Sequence, residues 1–368
     1  MSNVSYEVVI VGGSFAGLAA AMQLQGRRVL IVDQHPIGSH QMSACGTPLT
    51  TARAVGASAS VLAMHHDLVL HTAGKTICFP LQDPFVTFDY RAFCQAMAMQ
   101  TDAEFCLARV TKIGSHGIET TRGAAVAKFV VDASGGHSPL RRSWSHPRQG
   151  LGYGLETELP IQWAKPGLHF FVAKHLIPNG YAWVFPCGDV TRFGVGSFSN
   201  GLQLQSVLRR FLDQYGLEAG ATHGGVLAIG RRAALHDDVF VVGDAAGQCL
   251  PVTGEGIRTA LFHGVHCGQA LAGALSGRYS RSEAAALYQT QVRGNEQFHH
   301  RLHFIQAVVT RMPEPLLAHI ARIVAGSGLS DWVMGRYLVQ SGWFLGGSVA
   351  GLEVQQDNGT GFAEPARA

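Results

Sequence analysis

The sequence has little charge and no block of it. Of its 368 residues 14% are charged, and the formal net charge is +3 with eighteen histidines counted as neutral. Without a run of like charges, a nucleic-acid partner is not expected. Long apolar runs are missing too. Tyr6–Val11 is apolar but far too short to span a bilayer, and it lacks the basic start and cleavage site of a signal peptide. The expectation is a cytoplasmic protein, with peripheral membrane contact left open for a greasy C-terminal surface. Cysteine occurs seven times, at 45, 78, 94, 106, 187, 249 and 267, and no pair has C-x-x-C spacing. That argues against a redox dithiol or a zinc site and for reduced thiols. Repeats and long linkers are also absent, and 356–368 reads as a polar, disordered tail.

What is present is apolar material, 47% of the chain, enough for more than one domain. Val8-Val9-Ile10-Val11 reads as a strand buried on both faces. Gly12-Gly13-Ser14-Phe15-Ala16-Gly17 follows, then a helical Leu18–Leu24, a stop at Gly26, and a second strand, Val29–Val32, ending at Asp33. This β-α-β order is the unit that holds a dinucleotide. Gly12 permits the tight turn, Gly17 the close packing of helix on strand, and the helix N-terminus faces the phosphates. Asp33 is placed to accept from a ribose hydroxyl. The second glycine of the fingerprint is Ser14 here, a small side chain beside the phosphates.

Two further segments carry more. Phe129-Val130-Val131-Asp132-Ala133-Ser134-Gly135 runs from a strand into a glycine turn, with Arg141 and Arg142 beyond. Val239–Val242 reads as a strand into Gly243-Asp244-Ala245-Ala246-Gly247, and Pro251-Val252-Thr253-Gly254-Glu255-Gly256-Ile257 opens a long helix. Asp244 at a strand end can bind a ribityl hydroxyl. Backbone N–H groups of Gly254–Ile257 at a helix start can stabilise negative charge on a flavin's N1/O2 edge. Gly256, Ala260, Gly264 and Gly268 form a small-residue stripe for close helix packing.

Together the three segments resemble the FAD motifs of glutathione-reductase-type flavoproteins of the p-hydroxybenzoate hydroxylase kind. The resemblance implies an α/β fold: a Rossmann-type FAD-binding domain, an antiparallel β-sheet substrate domain and C-terminal helices. It assigns Gly12, Gly13, Ser14, Ala16, Gly17, Asp33, Gln34, Val110, Gly243, Asp244, Gly254, Gly256 and Ile257 to cofactor binding. Tyr90-Arg91-Ala92-Phe93 is similar to that family's Asp-Arg-x-x-Phe helix start, which adds Arg91 opposite the pyrophosphate. The acid is displaced here to Asp89.

Pro178-Asn179-Gly180-Tyr181-Ala182-Trp183-Val184-Phe185-Pro186 matches P-x-x-Y-x-W-x-F-P, the signature of geranylgeranyl reductases, at every fixed position. Alternation puts Tyr181, Trp183 and Phe185 on one strand face. They are either a wall for an elongated apolar substrate or one face of a sheet core; the resemblance favours the wall. Ala44-Cys45-Gly46 resembles the family's Cys-Gly segment beside the flavin. Cys45 would then touch cofactor and share catalysis with Tyr181 and Trp183, or else be a small buried hydrophobe; Thr47 replaces the expected second glycine.

The resemblance implies reduction, or the reverse desaturation, of C=C bonds in an isoprenoid-like lipid: hydride from flavin N5, a proton from Cys45, Tyr181 or water. No second nucleotide fingerprint is present, so the reductant is NAD(P)H bound transiently or an electron-transfer protein. One rival is a flavin monooxygenase or halogenase, whose W-x-W-x-I-P is close to Tyr181–Pro186; its lysine would have to be Lys75. Another is a non-enzymatic FAD-bound lipid carrier using Ala307–Leu317 and Trp343–Leu352 as its surface. His65-His66, His299-His300 and the pair His263/His266 do not converge on an ion, so no metal site is expected. The expected domains are 1–60, 86–150 and 226–275 for FAD, 151–225 for the substrate sheet and 276–345 for helices.

Overall fold

The computed structural model of the protein describes residues 5–140, 150–199, 201–230 and 232–340. It opens with β1 (Ser5–Val11), α1 (Phe15–Met22) and β2 (Val29–Asp33). The two strands are parallel, with Val8 opposite Val29. Next come β3 (Gly46–Pro48), α2 (Leu49–Ala54), a long hairpin of β4 (Val61–Thr72) and β5 (Lys75–Phe88), and α3 (Tyr90–Ala98). Then β6 (Glu104–Leu107), β7 (Val110–Gly114), β8 (Gly117–Thr120) and β9 (Gly123–Asp132) rejoin β1 and β2.

A second group follows: β10 (Leu151–Leu159), β11 (Leu168–Val172), β12 (Gly180–Cys187), β13 (Val190–Ser197), α4 (Leu204–Asp213) and β14 (Thr222–Ala228). The chain returns through β15 (Leu235–His236), β16 (Val239–Val241) and α5 (Ile257–Leu275). It ends in α6 (Arg281–Gly294), α7 (Glu296–Arg311), α8 (Glu314–Gly326) and α9 (Leu329–Gln340).

The first sheet has the order β15-β16-β9-β1-β2-β6, with β8 and β7 attached through β9. Its parallel strands end together: Val11 pairs with Asp132, Val241 with Asp132, and Asp33 with Leu107. Loops at that carboxyl edge are where an open α/β sheet binds its ligand. Helix α5 lies on α1 without side chains between the backbones. A Cβ on Gly264 would stand 2.5 Å from the Ala16 carbonyl, and one on Gly268 2.4 Å from that of Ala20.

The second sheet has the order β14-β10-β13-β12-β11-β4-β5-β3. It is not purely antiparallel as expected, because β11 pairs in parallel with β4, Leu168 opposite Leu68. Parallel neighbours need a long connection, and here it is the whole of the chain from β5 to β10. Stretch 61–85, left outside the expected domains, is the hairpin of this sheet. Residues 46–48 and 226–228, expected in the first domain, also bond into it, through β5 and β10. One face is covered by α4, whose Val207, Leu208, Phe211 and Leu212 pack on Ala182, Val184, Phe193 and Val195. The opposite face meets loops of the first sheet. Arg141, Arg142, residues 341–345 of the expected helical region, Trp343–Leu352 and the tail 356–368 lie outside the described residues.

Candidate functional site

The glycine loop is built to hold backbone against backbone. Gly12 has φ +110°, and a Cβ there would stand 2.3 Å from the Ala133 carbonyl oxygen; one on Gly17 would stand 2.0 Å from that of Gly12. Ser14 is the N-cap of α1. Its hydroxyl is 2.9 Å from the Tyr90 hydroxyl. Phe15, one residue on, sits edge-on against Phe88, Tyr90 and Phe93, which fixes the first turn of the helix. Asp33 accepts from the Gly13 N–H at 2.8 Å and from the His35 N–H at 2.9 Å, so its carboxylate is held at the loop. Gln34 beside it is exposed. The Ala108 N–H donates to the Asp33 carbonyl, which brings Val110 to the same edge of the sheet.

Asp89 explains the displaced acid of the helix start. It is the N-cap of α3, accepting from the Ala92 N–H at 2.7 Å, which leaves Arg91 exposed in the first turn. Arg91 lines a cavity of about 540 Å³ between the loop after β2, the start of α3 and the second sheet, together with Gly38, Tyr90, Glu158 and Arg192. Asp132 is fully buried and closes its own turn, accepting from Ser134 N–H at 3.1 Å and from the Ser134 and Ser138 hydroxyls. Burial raises its pKa and those bonds oppose the rise. Asp132 thereby seats Ala133 against Gly12.

At the third segment the Gly243 N–H donates to Gln248 Oε1 at 2.7 Å. Arg232 donates to the Asp244 carbonyl at 3.0 Å. Burial pushes the Asp244 carboxyl up to about 6, against a backbone hydrogen bond at Ala228 and the charge of Arg232. The carboxylate lies 3.5 Å from where a Gly256 Cβ would be, beside the N-cap of α5. Strand end, buried acid and helix N-terminus therefore face one space. A pyrophosphate fits at the glycine turn that opens α1 and an electron-accepting ring edge at Gly256–Ile257, because each lies at a helix N-terminus.

The aromatic strand joins this space. Tyr181 donates its hydroxyl proton to the Thr253 carbonyl, and a Cβ on Gly254 would stand 3.0 Å from that hydroxyl. Trp183 and Phe185 are buried and pack with Leu168, Phe170, Tyr181, Phe85 and Ala44. A Cβ on Gly46 would be 3.3 Å from the Phe185 ring. Cys45 lies between these two contacts but turns away from them: it has φ +56°, is wholly buried in the core around α1 and α3, and donates its thiol to the Ser43 carbonyl at 3.3 Å. Burial pushes the thiol well up, so it keeps its proton. Lys75 is exposed at the tip of the β4–β5 hairpin. His65 points inward, within 3.1 Å of the Pro186 carbonyl, while His66 is exposed. Among the described residues no three histidine, cysteine or acidic side chains could share a metal ion.

Several site residues have no signature in the sequence. Glu156, Arg192 and His223 share the face of Trp183, because Glu156 pairs with Gly194 and His223, Gly194 with Trp183, and Arg192 with Phe185. Tyr337 on α9 donates to Glu255 Oε2 at 2.5 Å and lies 2.8 Å from the Thr253 hydroxyl. Only the cross-strand register and the docking of α9 bring these groups in.

The two sheets and the three converging turns define the fold of the p-hydroxybenzoate hydroxylase-like flavoproteins. Among solved structures the chain is similar to a geranylgeranyl bacteriochlorophyll reductase-like protein from Thermoplasma acidophilum, with TM-score 0.77 and 20% identity over 87% of this chain and 91% of that one. It is also similar to the flavin-dependent brominase Bmp2, with TM-score 0.70 and 14% identity over 92% and 94%. No family model matches the sequence. By sequence the chain is similar to proteins named digeranylgeranylglycerophospholipid reductase. It is 35% identical to the digeranylgeranylglycerophospholipid reductase of Methanothrix thermoacetophila over 34% of each chain. It is 24% identical to that of Methanospirillum hungatei over 89% of this chain and 91% of the relative. The stronger of these two matches thus spans about a third of the relative's length.

Proposed function

We propose that the protein is an FAD-dependent oxidoreductase that reduces, or in reverse desaturates, C=C bonds of an apolar isoprenoid-like lipid. The observation that carries this is the joint between Tyr181 and Thr253, which sets the aromatic wall directly on the helix start suited to a flavin ring. The digeranylgeranylglycerophospholipid reductases among its relatives support the substrate class. Bound flavin would supply the hydride chemistry. In this reading Gly12, Gly13, Ser14, Ala16 and Gly17 hold the pyrophosphate with Arg91. Asp33, Gln34 and Val110 flank the adenosine. Gly243 and Asp244 take the ribityl chain, Gly256 and Ile257 present N–H groups to the ring, and Gly254, whose N–H donates to the Leu250 carbonyl, brings its backbone close to it. Tyr181, Trp183 and Phe185 exclude water and orient the chain. The Tyr181 hydroxyl spends its proton on Thr253, and burial pushes its pKa far above the usual tyrosine value. Water is the simpler proton source.

The electron donor is NAD(P)H or a small electron-transfer protein. Peripheral contact with a bilayer suits a lipid substrate, and the exposed Phe304, Ile320, Ile323, Trp332 and Val333 on α7–α9 offer an apolar face for it. Among the described residues no helix is long and apolar enough to cross a membrane. The test is anaerobic mixing of dithionite-reduced holoprotein with prenyl lipids in vesicles. The expected results are flavin reoxidation with loss of one alkene per flavin, and flotation of protein with the vesicles. Binding without reoxidation would instead indicate a carrier; in a parallel sample mixed in air, hydroxylation or halogenation of substrate would indicate a monooxygenase or halogenase.

Asp244 makes the cofactor site pH-dependent. A ribityl hydroxyl donates best to the ionised carboxylate, so FAD binding favours loss of the proton that burial retains up to about 6. FAD affinity of the apoprotein should therefore rise as pH rises through 6 and level off above it. In Asp244→Asn that step should vanish. Fluorescence titration with FAD from acid to neutral pH measures both.

A further inference from the structure

We infer that Glu156 is a positioning residue of the aromatic wall: it sets where the Trp183 ring stops along its trough and, through Arg192, ties that ring to the Ala44–Gly46 loop. The inference rests on reading that wall as the substrate surface. Trp183 does not stand up from its strand. Its indole lies across β13, so a Cβ on Gly194 would fall 2.1 Å from the ring, one on Gly196 3.2 Å and one on Gly154 3.7 Å. These glycines make a trough that fixes the plane of the ring but leaves it free to slide. The far end supplies the stop: the indole N–H donates to Glu156 Oε2 at 2.5 Å.

A neutral acceptor would suffice for that bond alone. A buried carboxylate is costly unless it is paired, and Glu156 is almost wholly buried. Its other oxygen meets His223 Nε2 at 3.0 Å and Arg192 Nε at 4.0 Å. Arg192 is itself fixed, donating to Glu158 at 2.9 Å and to the Phe88 carbonyl at 3.1 Å. On the other side Arg192 Nη1 donates to the Ala44 carbonyl at 3.4 Å. One chain of polar contacts thus runs from the Trp183 ring through Glu156 and Arg192 to the residue before Cys45. The depth to which an apolar chain can enter follows the ring, so Glu156 acts on substrate binding without touching substrate.

The test uses full-length holoprotein labelled with 15N-tryptophan. Trp183→Phe identifies the Trp183 indole signal, expected downfield and slow to exchange with solvent. Glu156→Gln keeps the size and removes the charge; it should move that signal upfield and speed its exchange at least about tenfold. With a prenyl lipid that the wild type reduces, KM should rise about tenfold while kcat stays within about twofold. Glu156→Asp, one methylene short, should not restore it, and the exposed Glu119→Gln should behave as wild type. Should Glu156→Gln fold poorly, Trp183→Phe must give the same KM change, with no further rise in the double variant. An unmoved indole signal overturns the contact itself, whatever the lipid does. A moved signal with unchanged KM overturns the positioning role. A wild type that reduces no prenyl lipid overturns the wall as substrate surface, and this inference with it.

Discussion

Arg258→Leu should lower stability by about 3–5 kcal/mol, the cost of leaving a buried charge unpaired. Arg258 is fully buried at the start of α5. It donates from Nε and Nη2 to the two oxygens of Glu255, at 2.7 and 2.8 Å, and from Nη1 to the Leu338 carbonyl at 2.9 Å. Its guanidinium also lies 5.4 Å from the centroid of the Tyr337 ring. Burial alone would raise the Glu255 pKa. The Arg258 charge, with hydrogen bonds from Arg258 and Tyr337, wins and holds it below the usual value. Removing Arg258 leaves burial opposed only by the Tyr337 hydrogen bond, so Glu255 should then titrate above its ordinary range.

The sign of the pH effect follows. In the wild type the depressed pKa contributes stability above the unfolded value, lost as pH falls through the folded one. In Arg258→Leu the folded value lies above the unfolded one, so the deficit should be largest at neutral pH and shrink on acidification. Urea unfolding at pH 7 and pH 5 measures this, with the gap between wild type and variant expected to narrow at the lower pH. Arg258→Lys should recover little, because one ammonium cannot meet two carboxylate oxygens and the Leu338 carbonyl in that planar arrangement. Arg258→Leu combined with Glu255→Gln should recover part of the loss. A deficit independent of pH would show that lost packing, not the stranded carboxylate, is the cause.

The same network bears on how far the site is legible in a sequence. Gly254–Ile257 stands out because its elements are local: a strand, a turn of small residues and a helix start follow one another. The first β-α-β unit is legible for the same reason, since continuous apolar runs mark its strands and glycines its turn. Tyr337 lies 82 residues from Glu255, and only the docking of α9 brings them to 2.5 Å. Glu156 and His223 are hidden by a different mechanism. Alternation tells which residues of one strand share a face, but not which strand lies beside it, so Trp183 was visible and its partner was not. The hairpin of β4 and β5 carries no local sign that it pairs with β11 and β3. Asp89 shows the reverse: its offset from the family pattern is legible in the sequence, and helix capping accounts for it.

Gly12→Ala should abolish cofactor binding, raising the FAD dissociation constant at least about a hundredfold. Two costs combine there. Alanine at φ +110° is strained by roughly 1–3 kcal/mol, and its Cβ would stand 2.3 Å from the Ala133 carbonyl oxygen. That carbonyl cannot move freely. The Ala133 N–H donates to the Val11 carbonyl, and the turn beyond it is closed by Asp132 on Ser134 and Ser138. The glycine loop must give instead, carrying Gly13 and Ser14 away from the strand-end acid Asp33, so the phosphate cradle opens while the sheet survives. Gly26→Ala separates strain from contact. It has φ +69°, also in the left-handed region, but nothing lies within 4 Å of its Cβ position, so it should cost only about 1 kcal/mol and leave FAD binding intact. Gly17→Ala tests contact without positive φ, since its Cβ would meet the Gly12 carbonyl at 2.0 Å, and it should follow Gly12→Ala rather than Gly26→Ala. Flavin absorbance per mole of purified protein, with circular dichroism to confirm the fold, decides among the three. Yellow Gly12→Ala protein with wild-type affinity would mean that the flavin does not bind at this loop.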